Sequence, residues 1–118
     1  MVSDSAPSGP ILDLESALAR LGGDRKLFAE MTRFLFEDLP KLRAELQAAV
    51  AEGDPSRIRM KAHALKGLVA GCGGVRASNA AQALEDAGHS GNLTQAATLL
   101  NSLKSELELL TQALAEHR

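Results

Sequence analysis

The residues with the clearest potential for chemistry lie in one short stretch near the middle of the chain, KAHALKGLVAGCGG, residues 61–74. Here a histidine, His63, is followed three residues later by Lys66 and four residues later by Gly67. Neutral imidazole is a good nucleophile near pH 7, because its ordinary pKa is about 6.5. A glycine in a helix interior costs about 1 kcal/mol relative to alanine. Helix stability therefore does not explain this stretch, and we interpret it as a functional site.

The spacing of apolar residues places the histidine beside the buried face of a helix. We predict a helix over residues 55–72 with an apolar stripe of Ile58, Ala62, Leu65, Val69 and Cys72. His63 directly follows a stripe residue, so its side chain points about 100° away from the core. On that flank lie Arg59, His63, Lys66, Gly67 and Ala70. Gly67 follows the histidine by one turn and leaves room above the imidazole. Two cations and a gap around a nucleophile predict a site for an anion.

Helical patterns also account for the rest of the chain, and strand alternation is absent. We predict a short helix from Asp13 to about Leu21 and a long helix from Asp24 to the EGDPS stretch, with a kink or break near Asp38–Leu39 because of Pro40. Two further helices are expected over residues 75–87 and 93–116, separated by a GHSGN turn. Short connections make successive helices antiparallel. The predicted fold is all-α, an antiparallel four-helix bundle with an additional short N-terminal helix.

Composition and charge exclude several classes of protein. The 118 residues suffice for one domain, and residues 1–10, rich in Ser, Pro and Gly, are predicted to be a disordered tail before a bundle domain over 11–118. The net charge of −2 gives no reason to expect nucleic acid or an anionic membrane as a partner, and no apolar run approaches the roughly 18 residues of a membrane span. One cysteine and no signal-peptide pattern favour a cytoplasmic protein.

The central motif resembles that of histidine-containing phosphotransfer (HPt) domains, A-H-x-[LI]-K-G with a further glycine six residues later. Here it reads AHALKG, residues 62–67, followed by Gly73. The segment LDLESALARLGGDRKLFAEMTRFLFEDLPKL is similar to the helices before the histidine in this family, and GNLTQAATLLNSLKSELELL to its final helix. The resemblance covers about residues 11–115.

This resemblance implies a phosphorelay intermediate. His63 would accept a phosphoryl group from the aspartyl phosphate of a receiver domain, or from a hybrid sensor histidine kinase, and pass it to the aspartate of a response regulator. Such a phosphocarrier has no ATP-binding or autokinase activity and no cofactor of its own. The divalent metal, Mg²⁺, is expected on the partner receiver domain.

The resemblance also implies roles for individual residues. Lys66 would neutralise the phosphate, and Gly67 would allow the active-site loops of the receiver to approach closely. Glu85 stands 22 residues after the histidine, where some members carry a Glu or Gln that holds one imidazole nitrogen. The alternative for this residue is a solvated helix charge. Gly73 matches the glycine that ends the histidine-bearing helix.

Exposed apolar residues near the histidine are candidates for docking a receiver domain. We expect Leu68, Ala70 and Phe34 to belong to this surface, which would be modest in area. Leu68 stands where the family often has a small polar residue, so it would either weaken hydrogen bonding near the phosphate or add an apolar contact. A monomer is expected, because four helices can bury each other's apolar stripes.

Three other interpretations compete with phosphotransfer. Glu85 and His89 are spaced i, i+4, but a di-metal bundle needs a second such pair, so we expect no metal site. The histidine-bearing hairpin of a sensor kinase has a proline after its histidine and an accompanying ATP-binding domain, and neither pattern occurs here. A helical interaction module with an incidental histidine is the main alternative, and it predicts that His63→Ala leaves partner function intact.

Overall fold

The computed structural model describes residues 8–117, and in this range the chain forms five α-helices and no strand. They are α1 (Leu14–Arg20), α2 (Arg25–Glu52), α3 (Pro55–Gly71), α4 (Val75–Ser90) and α5 (Ala96–Ala115). The all-α prediction is confirmed. Within the same range no helix combines the length and apolar character that crossing a bilayer requires.

Three helices begin at aspartates whose carboxylates cap the first turn. Oδ1 accepts a hydrogen bond from a backbone N–H three residues later at Asp13 (3.1 Å), Asp24 (2.9 Å) and Asp54 (3.2 Å). Such caps satisfy N–H groups that have no partner inside the helix. Pro55 occupies the first position of α3, where a missing N–H costs nothing. The short-range signals in the sequence thus set where α1, α2 and α3 start.

The buried face of α3 is the predicted one. The side chains of this face, including that of the C-cap residue, have no exposed surface: Ile58, Ala62, Leu65, Val69 and Cys72. This face packs between α2 and α4, and α5 closes the bundle against the same two helices. Helix α5 contributes Leu100, Leu103, Leu107, Leu110 and Leu114 to the core. Helices α2–α5 therefore form the four-helix bundle, in which α3 packs against α2 and α4 and keeps one flank free.

The short helix α1 covers the end of the bundle where α3 turns into α4. The Asp13 N–H donates to the carbonyl of Gly73 (2.8 Å), and Nη2 of Arg20 donates to the carbonyl of Ala70 (2.8 Å). Gly73 has φ +84°, and a Cβ on it would lie 2.7 Å from the Asp13 carbonyl oxygen. Both the left-handed backbone and the close approach require glycine here.

Residues 8–10, assigned to the tail in the sequence, contact the start of α4. The carbonyl of Ser8 accepts a hydrogen bond from Nδ2 of Asn79 (2.9 Å), and that of Pro10 accepts one from the Arg76 N–H (3.1 Å). Residues 1–7 lie outside the described part of the chain, so the disorder expected of them stays a prediction.

Pro40 does not interrupt α2, so of the predicted kink or break, the break is wrong. The helix is continuous from Arg25 to Glu52, and Pro40 lies on its exposed side. A proline inside a helix removes one N–H donor. Here the buried residues on both sides of it, Leu35, Leu39 and Leu46, anchor the helix to the core. This packing holds the helix together where local sequence favours a break.

Helix α4 extends three residues beyond its predicted end, and α5 begins at Ala96 instead of Leu93. His89 therefore lies in the last turn of α4, not in the following loop. Gly88, which we interpreted as part of a turn, is a packing residue: a Cβ on it would lie 2.7 Å from both the Arg59 nitrogen and the Pro55 oxygen. The missing side chain lets α4 approach the start of α3, and Gly91 with φ +79° ends the helix.

Candidate functional site

His63 lies in the middle of α3 on the free flank of the bundle. Its side chain is 66% exposed, whereas the preceding residue, Ala62, is fully buried. This is the orientation that the apolar spacing predicts, because one residue turns the helix by about 100°. The imidazole is thus held on a rigid element but open to a partner.

Glu85 on α4 contacts the Nδ1 side of the imidazole. Its Oε2 lies 3.0 Å from Nδ1 of His63, and its side chain is 18% exposed. An ionised carboxylate can only accept hydrogen bonds, so Nδ1 carries the proton and its N–H donates a hydrogen bond to Oε2 of Glu85. In the neutral ring the lone pair then lies on Nε2. The pairing therefore selects Nε2 as the nucleophile.

Lys66 completes an ion pair with the same carboxylate. Its Nζ lies 2.9 Å from Oε1 of Glu85 and donates to Oε1 of Gln82 at 2.8 Å. The hydrogen bond from Lys66 is the largest cause of a lowered pKa at Glu85; partial burial opposes it and the hydrogen bond from His63 adds to it. Glu85 consequently stays ionised through the neutral pH range and keeps its acceptor role.

Gln82 and Asp86 extend this cluster along α4. Nε2 of Gln82 donates to Oδ1 of Asp86 at 2.8 Å, while its Oε1 accepts from Lys66. Sequence reasoning missed both residues. The available signal was that Gln82 precedes Glu85 by three residues and Asp86 by four, which makes it a surface neighbour of both, but this spacing does not show which α3 residue lies opposite.

Gly67 and Arg59 flank the histidine without joining the cluster. A Cβ built on Gly67 would meet no atom within 4 Å, so the space one turn after His63 is open to solvent. Arg59 is exposed one turn before the histidine, and its guanidinium has no hydrogen bond or ion pair with residues 8–117. The structure thus brings His63, Lys66 and Glu85 together and leaves Arg59 as a free cation beside them.

The apolar residues predicted for docking differ in exposure. Phe34 is 49% exposed, and the guanidinium of Arg33 lies 5.2 Å from its ring centroid. Ala70 and Leu68 are half-buried, which corrects the expectation that they are exposed. Leu68 follows the histidine by five residues, which turns it about 140° around the axis and sets it against the core.

A further exposed apolar residue, Met60, lies near the histidine in the sequence of α3. Met60 is 55% exposed on α3, three residues before His63, and sequence reasoning missed it. The available signal was its position two residues after the buried Ile58, which turns it about 200° away from the core. It belongs with Phe34 among the apolar residues that a partner can reach.

No group of three or more His, Cys, Asp or Glu side chains within residues 8–117 is arranged to hold a metal ion. Glu85 contacts His63, whereas His89 is exposed in the last turn of α4. The site in this part of the chain therefore consists of an exposed imidazole paired with a carboxylate and a nearby ammonium.

Comparison with known proteins shows the family and the fold of the chain. The sequence model of the Hpt domain family matches residues 30–116, about three quarters of the chain. The crystal structure of histidine-containing phosphotransfer protein B (HptB) from Pseudomonas aeruginosa PAO1 superposes with a TM-score of 0.84 at 22% sequence identity, covering 93% of this chain and 96% of that one. No curated protein sequence matches significantly. The family's members are phosphocarriers in phosphorelays, not kinases. On this match the chain belongs to the Hpt domain family.

Proposed function

We propose that this protein is a phosphorelay intermediate that carries a phosphoryl group on Nε2 of His63. The observation that supports this most directly is the 3.0 Å contact between Nδ1 of the exposed histidine and Oε2 of Glu85. This contact fixes the tautomer and orients the ring, which leaves the lone pair of Nε2 facing solvent. Phosphoryl transfer asks a protein mainly for such positioning and for charge stabilisation.

In the transfer step, the lone pair of Nε2 attacks the phosphorus of an aspartyl phosphate on a receiver domain. The bond between phosphorus and the aspartyl oxygen breaks, and the aspartate leaves as a free carboxylate. The phosphorylated ring keeps the proton on Nδ1 and therefore carries a positive charge, which Glu85 stabilises at 3.0 Å. Onward transfer to a response-regulator aspartate is the same step in reverse.

The cations on α3 supply charge for the phosphoryl group. Lys66 lies one turn from the histidine, and Arg59 is exposed on the other side of it. Gly67 leaves the surface beside the ring open, so that the loops of a receiver can reach Nε2. Mg²⁺ and the remaining transition-state stabilisation would come from the receiver.

Receiver domains and a hybrid sensor histidine kinase are the proposed partners, met by a monomer of this chain in the cytoplasm. Phe34 and Met60 offer exposed apolar surface for a transient contact, with Leu68 and Ala70 at its half-buried edge. Phe34→Ala and Met60→Ala should each slow transfer from a receiver without changing the oligomeric state measured by sedimentation.

The decisive experiment is incubation with receiver domains phosphorylated by acetyl phosphate, followed by intact mass measurement and an acid-lability test. We expect the gain of one acid-labile phosphoryl group in the wild type and none in His63→Gln. His89→Gln is the matched control, because it removes another exposed histidine and should be phosphorylated like the wild type.

Phosphorylation that persists in His63→Gln would contradict the proposal. So would the absence of any phosphorylation across a panel of receivers when circular dichroism shows the bundle folded. The second result would favour a helical interaction module.

A further inference from the structure

The side chain of Gln82 lies between Lys66 of the histidine site and the carboxylate of Asp86. Its side-chain amide has two different ends, and each meets a charged group: Nε2 donates to Asp86 at 2.8 Å, and Oε1 accepts from Lys66 at 2.8 Å. Turned the other way, the amide would direct its NH₂ group at an ammonium and its oxygen at a carboxylate. Asp86 and Lys66 therefore fix a single orientation of Gln82.

This orientation determines where the Lys66 ammonium rests. A lysine side chain has a flexible four-carbon stem, so a single ion pair does not fix the position of its ammonium. Here two oxygens on α4 hold it: Oε1 of Glu85 forms an ion pair with it at 2.9 Å, and Oε1 of Gln82 accepts a hydrogen bond from it at 2.8 Å. Without the second acceptor, the ammonium would be free to leave Glu85 for solvent.

The position of that ammonium bears on the protonation of His63. A carboxylate next to an imidazole favours the charged imidazolium, which has no lone pair with which to attack phosphorus. The positive charge of Lys66 on the other oxygen of Glu85 opposes this effect. Other charged groups nearby are Arg59 on α3 and Asp86 on α4, while Glu45, on the neighbouring α2, is engaged by Lys61 at 3.3 Å.

We propose that Gln82 is a positioning residue that holds Lys66 against Glu85 and thereby keeps His63 in the neutral, Nδ1-protonated form. Glu85 can then direct the ring without converting it to imidazolium. The consequence for phosphoryl transfer rests on the proposed function, but the effect on the histidine can be measured in the unphosphorylated protein.

The test uses NMR of the imidazole ring to measure the pKa and the tautomer of His63 in the wild type and in Gln82→Leu. We expect the pKa of His63 to rise by about 0.5 unit, because Lys66 no longer offsets the charge of Glu85. Gln47→Leu is the matched control, the same change at an exposed position of α2, and should leave that pKa unchanged. Gln82→Met, with a side chain of the same length, repeats the test if the leucine disturbs packing.

A double-mutant cycle shows whether Gln82 acts through Lys66. In a Lys66→Met background, Gln82→Leu should add no further change to the pKa of His63. An unchanged pKa in both Gln82→Leu and Gln82→Met would overturn the proposal. A shift of the same size with and without Lys66 would overturn it as well, because Gln82 would then act by another route.

Transfer kinetics separate this proposal from the broader one. A pKa raised by about 0.5 unit lowers the neutral fraction of the histidine about threefold at pH values below that pKa. Gln82→Leu should therefore slow transfer about threefold at low pH and match the wild type at high pH. If the pKa shifts but no variant accepts phosphate, the phosphorelay function fails and the role of Gln82 stands. If phosphate is accepted and the pKa of His63 does not move, the phosphorelay function stands and the role of Gln82 fails.

Discussion

The two flanks of α3 are built from neighbouring residues and have opposite properties. One flank consists of fully buried apolar side chains, and the other presents an imidazole with 66% of its side chain exposed. Ala62 and His63 belong to different flanks although they are adjacent in the chain, because each residue turns the helix by about 100°. Stability should therefore depend on one flank and phosphoryl transfer on the other, and substitutions on α3 and its neighbour α4 can test that separation.

The largest effect is expected from the buried flank. Leu65→Ala removes a fully buried side chain and should lower the free energy of unfolding by about 2–5 kcal/mol. His63→Gln, two residues earlier on the exposed flank, should change it by less than about 0.5 kcal/mol. Urea denaturation followed by circular dichroism measures both. Comparable losses in the two variants would show that the flanks are not energetically separate.

The next effect concerns the close contact between α3 and α4. Gly88→Ala should destabilise the protein by about 1–3 kcal/mol, because the new Cβ would lie 2.7 Å from two backbone atoms of α3. Alanine is the better helix former, so propensity alone predicts the opposite sign. Thermal unfolding decides between the two, and an increase in stability would mean that α4 can move away from α3 at no cost.

Gly67 offers the matched substitution on the exposed flank. Gly67→Ala should stabilise the protein by about 0.5–1 kcal/mol, because the added methyl group meets no atom of this chain within 4 Å. On the proposed function the same methyl group would stand in the path of the receiver, and it should then slow transfer roughly tenfold. Stopped-flow transfer assays beside thermal unfolding would show this. An unchanged transfer rate would remove Gly67 from the receiver contact.

The smallest effect is a pH dependence of stability. The folded-state pKa of Glu85 is lowered, so its contribution is present above the unfolded-state pKa and is lost as pH falls through the lowered value. The stability difference between the wild type and Glu85→Gln should therefore be fully present near pH 7 and shrink as the pH falls below 4.5, the ordinary pKa of a glutamate. Urea midpoints at several pH values measure it. A difference independent of pH would mean that the carboxylate charge does not stabilise the fold.

The fold followed from the sequence where the signals are local. Asp13, Asp24 and Asp54 mark helix starts through hydrogen bonds to residues three positions later. The predictions failed where distant residues decide the outcome. Helix α2 is continuous through Pro40, because the residues on both sides of it pack into the core. Helix α4 continues past its expected end, where Gly88 packs against α3 instead of forming a turn. A glycine looks the same in sequence whether it ends a helix or lets two helices touch.

For the candidate site, the sequence by itself determined that His63 is exposed, because the 3.6-residue period of one helix separates it from the apolar stripe. The family resemblance pointed to Glu85. The tertiary structure alone decided the rest: that Lys66 is shared between Glu85 and Gln82, that Asp86 orients Gln82, and that Leu68 is half-buried. These contacts join residues of two helices, and their partners depend on the axial offset and rotation of α3 against α4. Side-chain packing sets that offset, and no periodicity within a single helix encodes it.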